Sequence, residues 1–322
     1  MKFSVKTLIG LAGIIIAIIY CIHGVNLKDV TEILKEMNFP QTFIVFCLTI
    51  LNLIVRAMVF KMIVNPIKKI PVTHAISSYL VGVFSNLFLP FKLGDIAQGY
   101  FLGRRQEISK ISAVSAVFIQ RVFEVSTLLL LILFVALAFS FPLLFQRRTL
   151  IFGVLIILGI SLLFIAFRKR EKIGTFLQNV LSRYSLSFAS SIKRYIELFL
   201  QGTSAMHNLP GVIKITSLSI VSWVIQIMMV NFTASALNIS LDLVASSVVL
   251  FIVNLGLTIP IAPGNIGTFQ FFGIVALSFF SVPKPQALLF SIIFQVIQGI
   301  PVIIGGSTIL IREILYKKRA VV

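Results

Sequence analysis

Charge is scarce in this chain, and acid is scarcest. Of 322 residues only 12% are charged, with 10 Asp and Glu against 28 Lys and Arg. Soluble globular chains carry about 25% charged residues, so this composition cannot supply a water-facing surface of ordinary polarity. Cysteine is nearly absent: Cys21 and Cys47 both fall in apolar runs, which leaves neither a disulfide frame nor a paired-cysteine metal or redox motif. His23, His74 and His207 are scattered singly, whereas a metal site needs its ligands clustered. No glycine-rich loop ending in Gly-Lys-Ser or Gly-Lys-Thr is present, so nothing points to ATP. No cofactor and no metal is expected.

What the chain has instead is apolar length. Hydrophobic residues make up 58% of it, and the mean hydropathy is +1.05. A helix needs about 20 apolar residues to cross the hydrocarbon core. Runs 7–25, 40–60, 111–141, 149–167, 211–237 and 285–311 meet that length. The first resembles a signal peptide at its start but has no small-x-small cleavage site, and is expected to remain as a membrane helix. Two further stretches, 72–101 and 242–282, are apolar but interrupted, at Pro90 to Gly94 and at Pro260, Pro263 and Gly264. Proline removes an amide donor and glycine permits the turn, so each reads as a helical hairpin with a broken tip. The expected fold is all-α, a single membrane domain over 1–322. It is a polytopic bundle of six crossing helices plus two interrupted or re-entrant hairpins.

The net charge of +18 would suggest nucleic acid in a soluble protein. Here the basic residues lie between apolar runs, where they set orientation instead. With the N-terminus inside, the cytoplasmic face receives Lys61, Lys68, Lys69, Arg104, Arg105, Lys110, the basic cluster at 168–172 and Arg312 to Arg319. The outer face receives only Lys28, Lys35, Arg147, Arg148 and Lys284. The asymmetry holds if each interrupted stretch makes an even number of crossings, which puts both termini in the cytoplasm of a cell-membrane protein. Segment 168–210 has apolar residues recurring at three and four and reads as a cytoplasmic amphipathic hairpin. A short stretch at 29–38 is amphipathic on the outer face.

The two breaks match each other. An offset of 170 places Pro90 on Pro260, Gly94 on Gly264, Asp95 on Asn265 and Ile96 on Ile266. Three crossing helices separate the breaks, so the repeats are inverted, with hairpins entering from opposite faces. Interrupted helices at matching positions of inverted repeats point to a transport site near the midplane. The alternative is a pair of hairpins that only pack the bundle.

Ionisable groups inside apolar helices cost about 2.5–3.5 kcal/mol each on insertion scales, so each needs a reason. Arg121 and Glu124 stand at i and i+3, on one helix face, with Gln120 adjoining. They read either as a buried ion pair that fixes packing or as a cationic site for an anionic headgroup. In the second reading Glu124 holds the guanidinium, whose planar fork suits phosphate. Arg56, close to Lys61, reads as an interfacial residue reaching for water or as part of that site. Asp95 suits a helix cap or a substrate contact. Asn86 and Lys92 flank the first break. In the second half Asn265, Gln270 and Gln295 supply amides, either as glue between helices or as lining for a headgroup path, and Gly267 completes the second turn.

At these residues the chain resembles a known family. Ser85-Asn86-Leu87-Phe88-Leu89-Pro90-Phe91-Lys92-Leu93-Gly94-Asp95, Gln120-Arg121-Val122-Phe123-Glu124 and Pro263-Gly264-Asn265-Ile266-Gly267-Thr268-Phe269-Gln270 are similar to the lysylphosphatidylglycerol synthase transmembrane-domain family. The resemblance implies lipid translocation, and ending at Val322 the chain is expected to be a stand-alone relative without an aminoacyl-transferase domain. It departs from the family in carrying Asn265 for a glycine, Gln270 for an acid and Gln295 where an Arg is common. An anionic or glycosylated lipid therefore suits it at least as well as a cationic one.

The expected function is a lipid flippase or transporter, not an enzyme, with Arg121 on the phosphate. The alternatives are an integral-membrane transferase using Asp95 and Glu124, or an accessory subunit of a lipid-synthesis enzyme. Expected partners are a membrane lipid, a second copy of the chain or a lipid-synthesis enzyme, and no nucleic acid. Arg121→Ala is expected to abolish transport with the fold largely intact.

Overall fold

A computed structural model describes residues 18–138, 209–258 and 263–319, with Leu158, Leu198, Gly202 and Ser204 between them. Most of run 7–25, nearly all of run 149–167 and of segment 168–210, and Pro260 lie outside the described residues. Among the described residues every regular element is helical. In chain order they are α1 (Leu27–Lys35), α2 (Phe39–Val64), α3 (Val72–Phe88), α4 (Leu93–Gln106), α5 (Lys110–Ala138), α6 (Leu209–Ala236), α7 (Leu243–Gly256), α8 (Thr268–Ser278) and α9 (Lys284–Arg319).

Four of these, α2, α5, α6 and α9, are long and apolar enough to cross a membrane. Half or less of each span is buried within the protein. The rest of their surface carries large apolar side chains such as Phe43, Leu51, Phe134, Ile213 and Ile304, a face that water would not stabilise. The amphipathic stretch expected at 29–38 is α1, started by Asn26, whose Oδ1 accepts from the Lys28 amide at 3.1 Å.

Among the described residues each interrupted stretch holds two helices with a 3₁₀ turn between them, Pro90–Lys92 between α3 and α4 and Pro263–Asn265 between α7 and α8. In each turn two successive residues take left-handed backbone angles: Phe91 and Lys92 (φ 57° and 55°), and Gly264 and Asn265 (φ 61° and 57°). Pro90 and Pro263 each open such a turn, and Pro260, the partner given by the sequence offset, lies outside the described residues. The element order long helix, short helix, 3₁₀ turn, short helix, long helix occurs twice, as α2 to α5 and as α6 to α9.

The chain divides into two compact units. The tip unit comprises residues 1–53, 83–94 and 222–322. Within it the two 3₁₀ turns touch, and a Cβ on Gly264 would lie 3.1 Å from the Leu87 carbonyl oxygen. Asp242 starts α7 by accepting from the Ala245 amide at 2.6 Å. Phe269, Phe290 and Phe294 stack between α8 and α9. Lys284 donates to the carbonyls of Tyr20 and His23 at 2.6 and 2.8 Å, holding the end of the first helical segment. Asn52 on α2 accepts a 2.8 Å hydrogen bond from Ser222 on α6.

The charge unit comprises residues 54–82 and 95–221. Its apolar core joins Phe60 and Ile63 of α2, Ala75 of α3, Leu102 of α4, Ile119 and Phe123 of α5, and Ile215 of α6. Small residues let α4 lie against α5. A Cβ on Gly99 would fall 2.6 Å from the Val114 Cα and 2.7 Å from its amide nitrogen, backbone that has nowhere to go. Gly99→Ala is expected to cost about 1–3 kcal/mol by overpacking, whereas Gly299→Ala, whose nearest neighbour is 4.0 Å away, should be close to neutral. Thermal melts of the two variants in detergent check the contrast.

Candidate functional site

The charge unit gathers four ionised side chains from three helices. Arg56 comes from α2, Asp95 from α4, and Arg121 and Glu124 from α5. Arg121 and Glu124 meet because they stand three residues apart on one helix face, with Nη1 to Oε2 at 2.7 Å. The remaining side of the Arg121 fork grips Asp95: Nε donates to Oδ2 at 2.9 Å and Nη2 to Oδ1 at 2.7 Å. This bidentate geometry is the strong form of the carboxylate–guanidinium contact. Arg56 approaches Glu124 at 3.7 Å and hydrogen-bonds Tyr79 of α3. Gln120 ties the set together, donating to Glu124 Oε1 at 3.0 Å and to the Arg56 carbonyl at 3.3 Å.

Exposure grades across the quartet. Arg121 and Asp95 are 28% and 19% exposed at the side chain, while Arg56 and Glu124 are 15% and 11%. The Arg121–Asp95 end is therefore the more exposed end. Arg56 is not the interfacial residue that its nearness to Lys61 suggests. Tyr79 and Glu124 arrive from other helices and draw it inward, and no sequence signal placed Tyr79 here. Arg121 makes three short bonds to two carboxylates, so its removal by alanine would strip both acids of their nearest cation. The expectation that the fold survives Arg121→Ala does not stand.

Asn86 and Lys92 belong to the first turn. Asn86 Oδ1 accepts from the Gly94 amide at 2.8 Å and so starts α4, directly before Asp95. Lys92 lies in the turn itself, with left-handed backbone.

The second turn is organised by amides. Gln270 Oε1 accepts from the Gly267 amide at 2.7 Å, and its Nε2 donates to Gln295 Oε1 at 2.6 Å. Gln295 in turn donates to the Gly264 carbonyl at 2.7 Å, tying α9 to the turn. Gly267 begins α8 with φ 83°, an angle that a side chain would strain. Asn265 is in the turn but makes none of these bonds. Hydrogen bonds between membrane helices contribute about 0.6 kcal/mol each on average. Gln295→Leu, which loses two of them, is expected to lower stability by about 1 kcal/mol, read from a detergent melt.

Among the described residues no group of His, Cys, Asp and Glu is placed to hold a metal. The quartet sets two guanidinium groups against two carboxylates among apolar helices.

Long apolar helices, paired broken helices and an enclosed charge cluster define a multi-pass helical membrane protein with a polar interior site. The chain belongs to the family described as the lysylphosphatidylglycerol synthase TM region, matched over residues 7–306. It is also similar to the UPF0104 membrane protein MJ1078 of Methanocaldococcus jannaschii. The two are 25% identical over 228 residues, which covers 70% of this chain and 92% of that protein. No solved structure matches. The family match takes in both hairpins and the charge quartet, and it ties the chain to lipid-related membrane function.

Proposed function

We propose that this protein moves a phospholipid or lipid-linked headgroup between leaflets of the cell membrane. The observation that carries the reading is the Arg121 fork. It is a bidentate anion grip on a membrane helix, with its exposed side held by the exchangeable carboxylate of Asp95. Arg121 is the twelfth residue of α5, about 18 Å along it at 1.5 Å per residue. That is close to mid-depth in a hydrocarbon core about 30 Å thick, where a lipid phosphate has to pass and does not rest.

The hairpins support the same reading. At 1.5 Å per residue α3, α4, α7 and α8 extend about 26, 21, 21 and 17 Å, so none spans the core alone. Two such hairpins whose tips touch fit re-entrant elements entering from opposite faces. Asn52 of α2 and Ser222 of α6, the long helices that open the two matching series of elements, hydrogen-bond, and interrupted helices in inverted repeats are the arrangement found around transport sites at the midplane. Both termini then lie in the cytoplasm.

The transferase reading is weaker, because its acids, Asp95 and Glu124, are both engaged by one guanidinium. The test is a leaflet-resolved assay in reconstituted phosphatidylcholine vesicles carrying tail-labelled phosphatidylglycerol. Protein-dependent movement of unaltered lipid supports transport. A chemically altered lipid supports a transferase, and neither outcome supports an accessory role.

A further inference from the structure

The end of the charge unit where α4 leads into α5 is strongly basic. Lys68 and Lys69 join α2 to α3, Arg104 and Arg105 end α4, Lys110 opens α5, and Lys214 lies in the second turn of α6. All of these side chains are exposed, and Glu107 is the one described acid of the unit outside the quartet. Their apolar sequence neighbours share one cluster: Ile67 and Ile70, Leu102, Ile108, and Val212 with Ile215. The helix ends that carry the cations therefore converge. Lys68 ties two of them, donating to the Gln106 carbonyl at 2.6 Å. Lys110 Nζ lies 4.4 Å from the centre of the Tyr100 ring, and the Arg105 guanidinium 5.8 Å from that of Phe101.

Membrane orientation needs only an excess of cations in number, and does not require them to be held in place. Helix stability does not account for the array either. Arg104 and Arg105 suit the C-terminal end of α4, but Lys110 stands at the N-terminus of α5, where the helix dipole opposes a cation. Like charges gathered against a single acid repel one another, and a layer of anions relieves that repulsion. Large apolar side chains lie exposed beside the cations: Tyr100, Leu209 and Ile213. Cations next to apolar and aromatic side chains match the boundary between headgroups and acyl chains, where aromatic rings collect. A soluble acidic partner would match the cations and leave the apolar side chains in water.

We infer that this end of the charge unit is a binding rim for anionic phospholipid headgroups, which gather along it at the membrane surface. The rim and the ion pair share two helices. Asp95 to Arg105 on α4 and Lys110 to Arg121 on α5 measure about 15 and 17 Å at 1.5 Å per residue. That is close to half of a hydrocarbon core about 30 Å thick. The rim holds whether or not lipid crosses the membrane. With the transport reading, it is where an anionic substrate collects before it meets Arg121.

The test is the lipid selectivity of the full chain in phosphatidylcholine vesicles. Electron spin resonance reads the motionally restricted fraction of spin-labelled phosphatidylglycerol against that of spin-labelled phosphatidylcholine. The wild type should prefer phosphatidylglycerol about threefold or more at low salt. The preference should fall toward equality at about 1 M salt, where exposed charges act over only about 3 Å. Lys69→Gln with Arg104→Gln, exposed side chains outside the contacts above, should lower it about twofold. Lys28→Gln with Lys35→Gln removes the same net charge from α1 and should leave it in place. An equal fall in both variants would assign the preference to net charge and overturn the rim. Equal restriction of the two lipids by the wild type, as for a rim that takes a soluble acidic partner, also overturns it. Loss of preference in Asp95→Gln with Arg121→Gln, and not in the rim variant, places the anion at the quartet instead. Each of these failures leaves the transport reading to its own assay of lipid movement.

Discussion

Arg121→Ala is expected to destabilise the protein by about 3–5 kcal/mol, the usual cost of removing one partner from a buried charge cluster, and to stop lipid movement. The loss of stability follows from the three bonds of 2.7–2.9 Å that the guanidinium makes to Asp95 and Glu124. Without it both carboxylates lose their nearest cation, and Glu124 falls back on Arg56 at 3.7 Å. Arg121→Lys separates the two effects. Lysine keeps the positive charge, so the acids stay compensated, but a single ammonium cannot grip two oxygens in a planar fork. Each charge-assisted hydrogen bond contributes about 1.5–3 kcal/mol, so losing one should slow transport at least about tenfold with a smaller fall in melting temperature. A detergent melt and the vesicle assay, run on the same preparations, read the two quantities.

The second large effect is expected from Asp95→Gln combined with Arg121→Gln. This double variant gives the first hairpin the amide pin of the second, where Gln270 and Gln295 already hold the same geometry. Net charge is unchanged, Glu124 keeps Arg56 and Gln120, and no charge is stranded. Replacing a buried ion pair as a unit is often neutral for stability. The melting temperature should therefore stay near that of the wild type while lipid movement is lost. Loss of the fold instead would place the ion pair among the structural requirements of the protein.

Much of this was legible in the residues. Pro90, Gly94, Pro263 and Gly264 mark the hairpin tips because proline and glycine punctuate helices locally, and Arg121 and Glu124 announce their pairing by an i, i+3 spacing. The shape of the tips was not legible: the second stretch carries both Pro260 and Pro263, and nothing in the residues announces the left-handed angles shared by Phe91 and Lys92 and by Gly264 and Asn265. For Arg56 the sequence left two readings open, an interfacial residue beside Lys61 or a member of the site, because its partners Glu124 and Tyr79 come from α5 and α3. The Asp95–Arg121 and Gln270–Gln295 contacts are tertiary, and no local pattern encodes them. Gln270 and Gln295 stood out as departures from a family pattern; their contact gives those departures a shared physical meaning.

The decisive measurement for exchange of the Arg121–Asp95 ion pair with a lipid phosphate is protein-dependent movement of labelled phosphatidylglycerol between leaflets, compared between the wild type and the Asp95→Gln, Arg121→Gln double variant at matched melting temperature. Movement is expected in the wild type and none above protein-free vesicles in the variant. Equal movement in both would rule the exchange out.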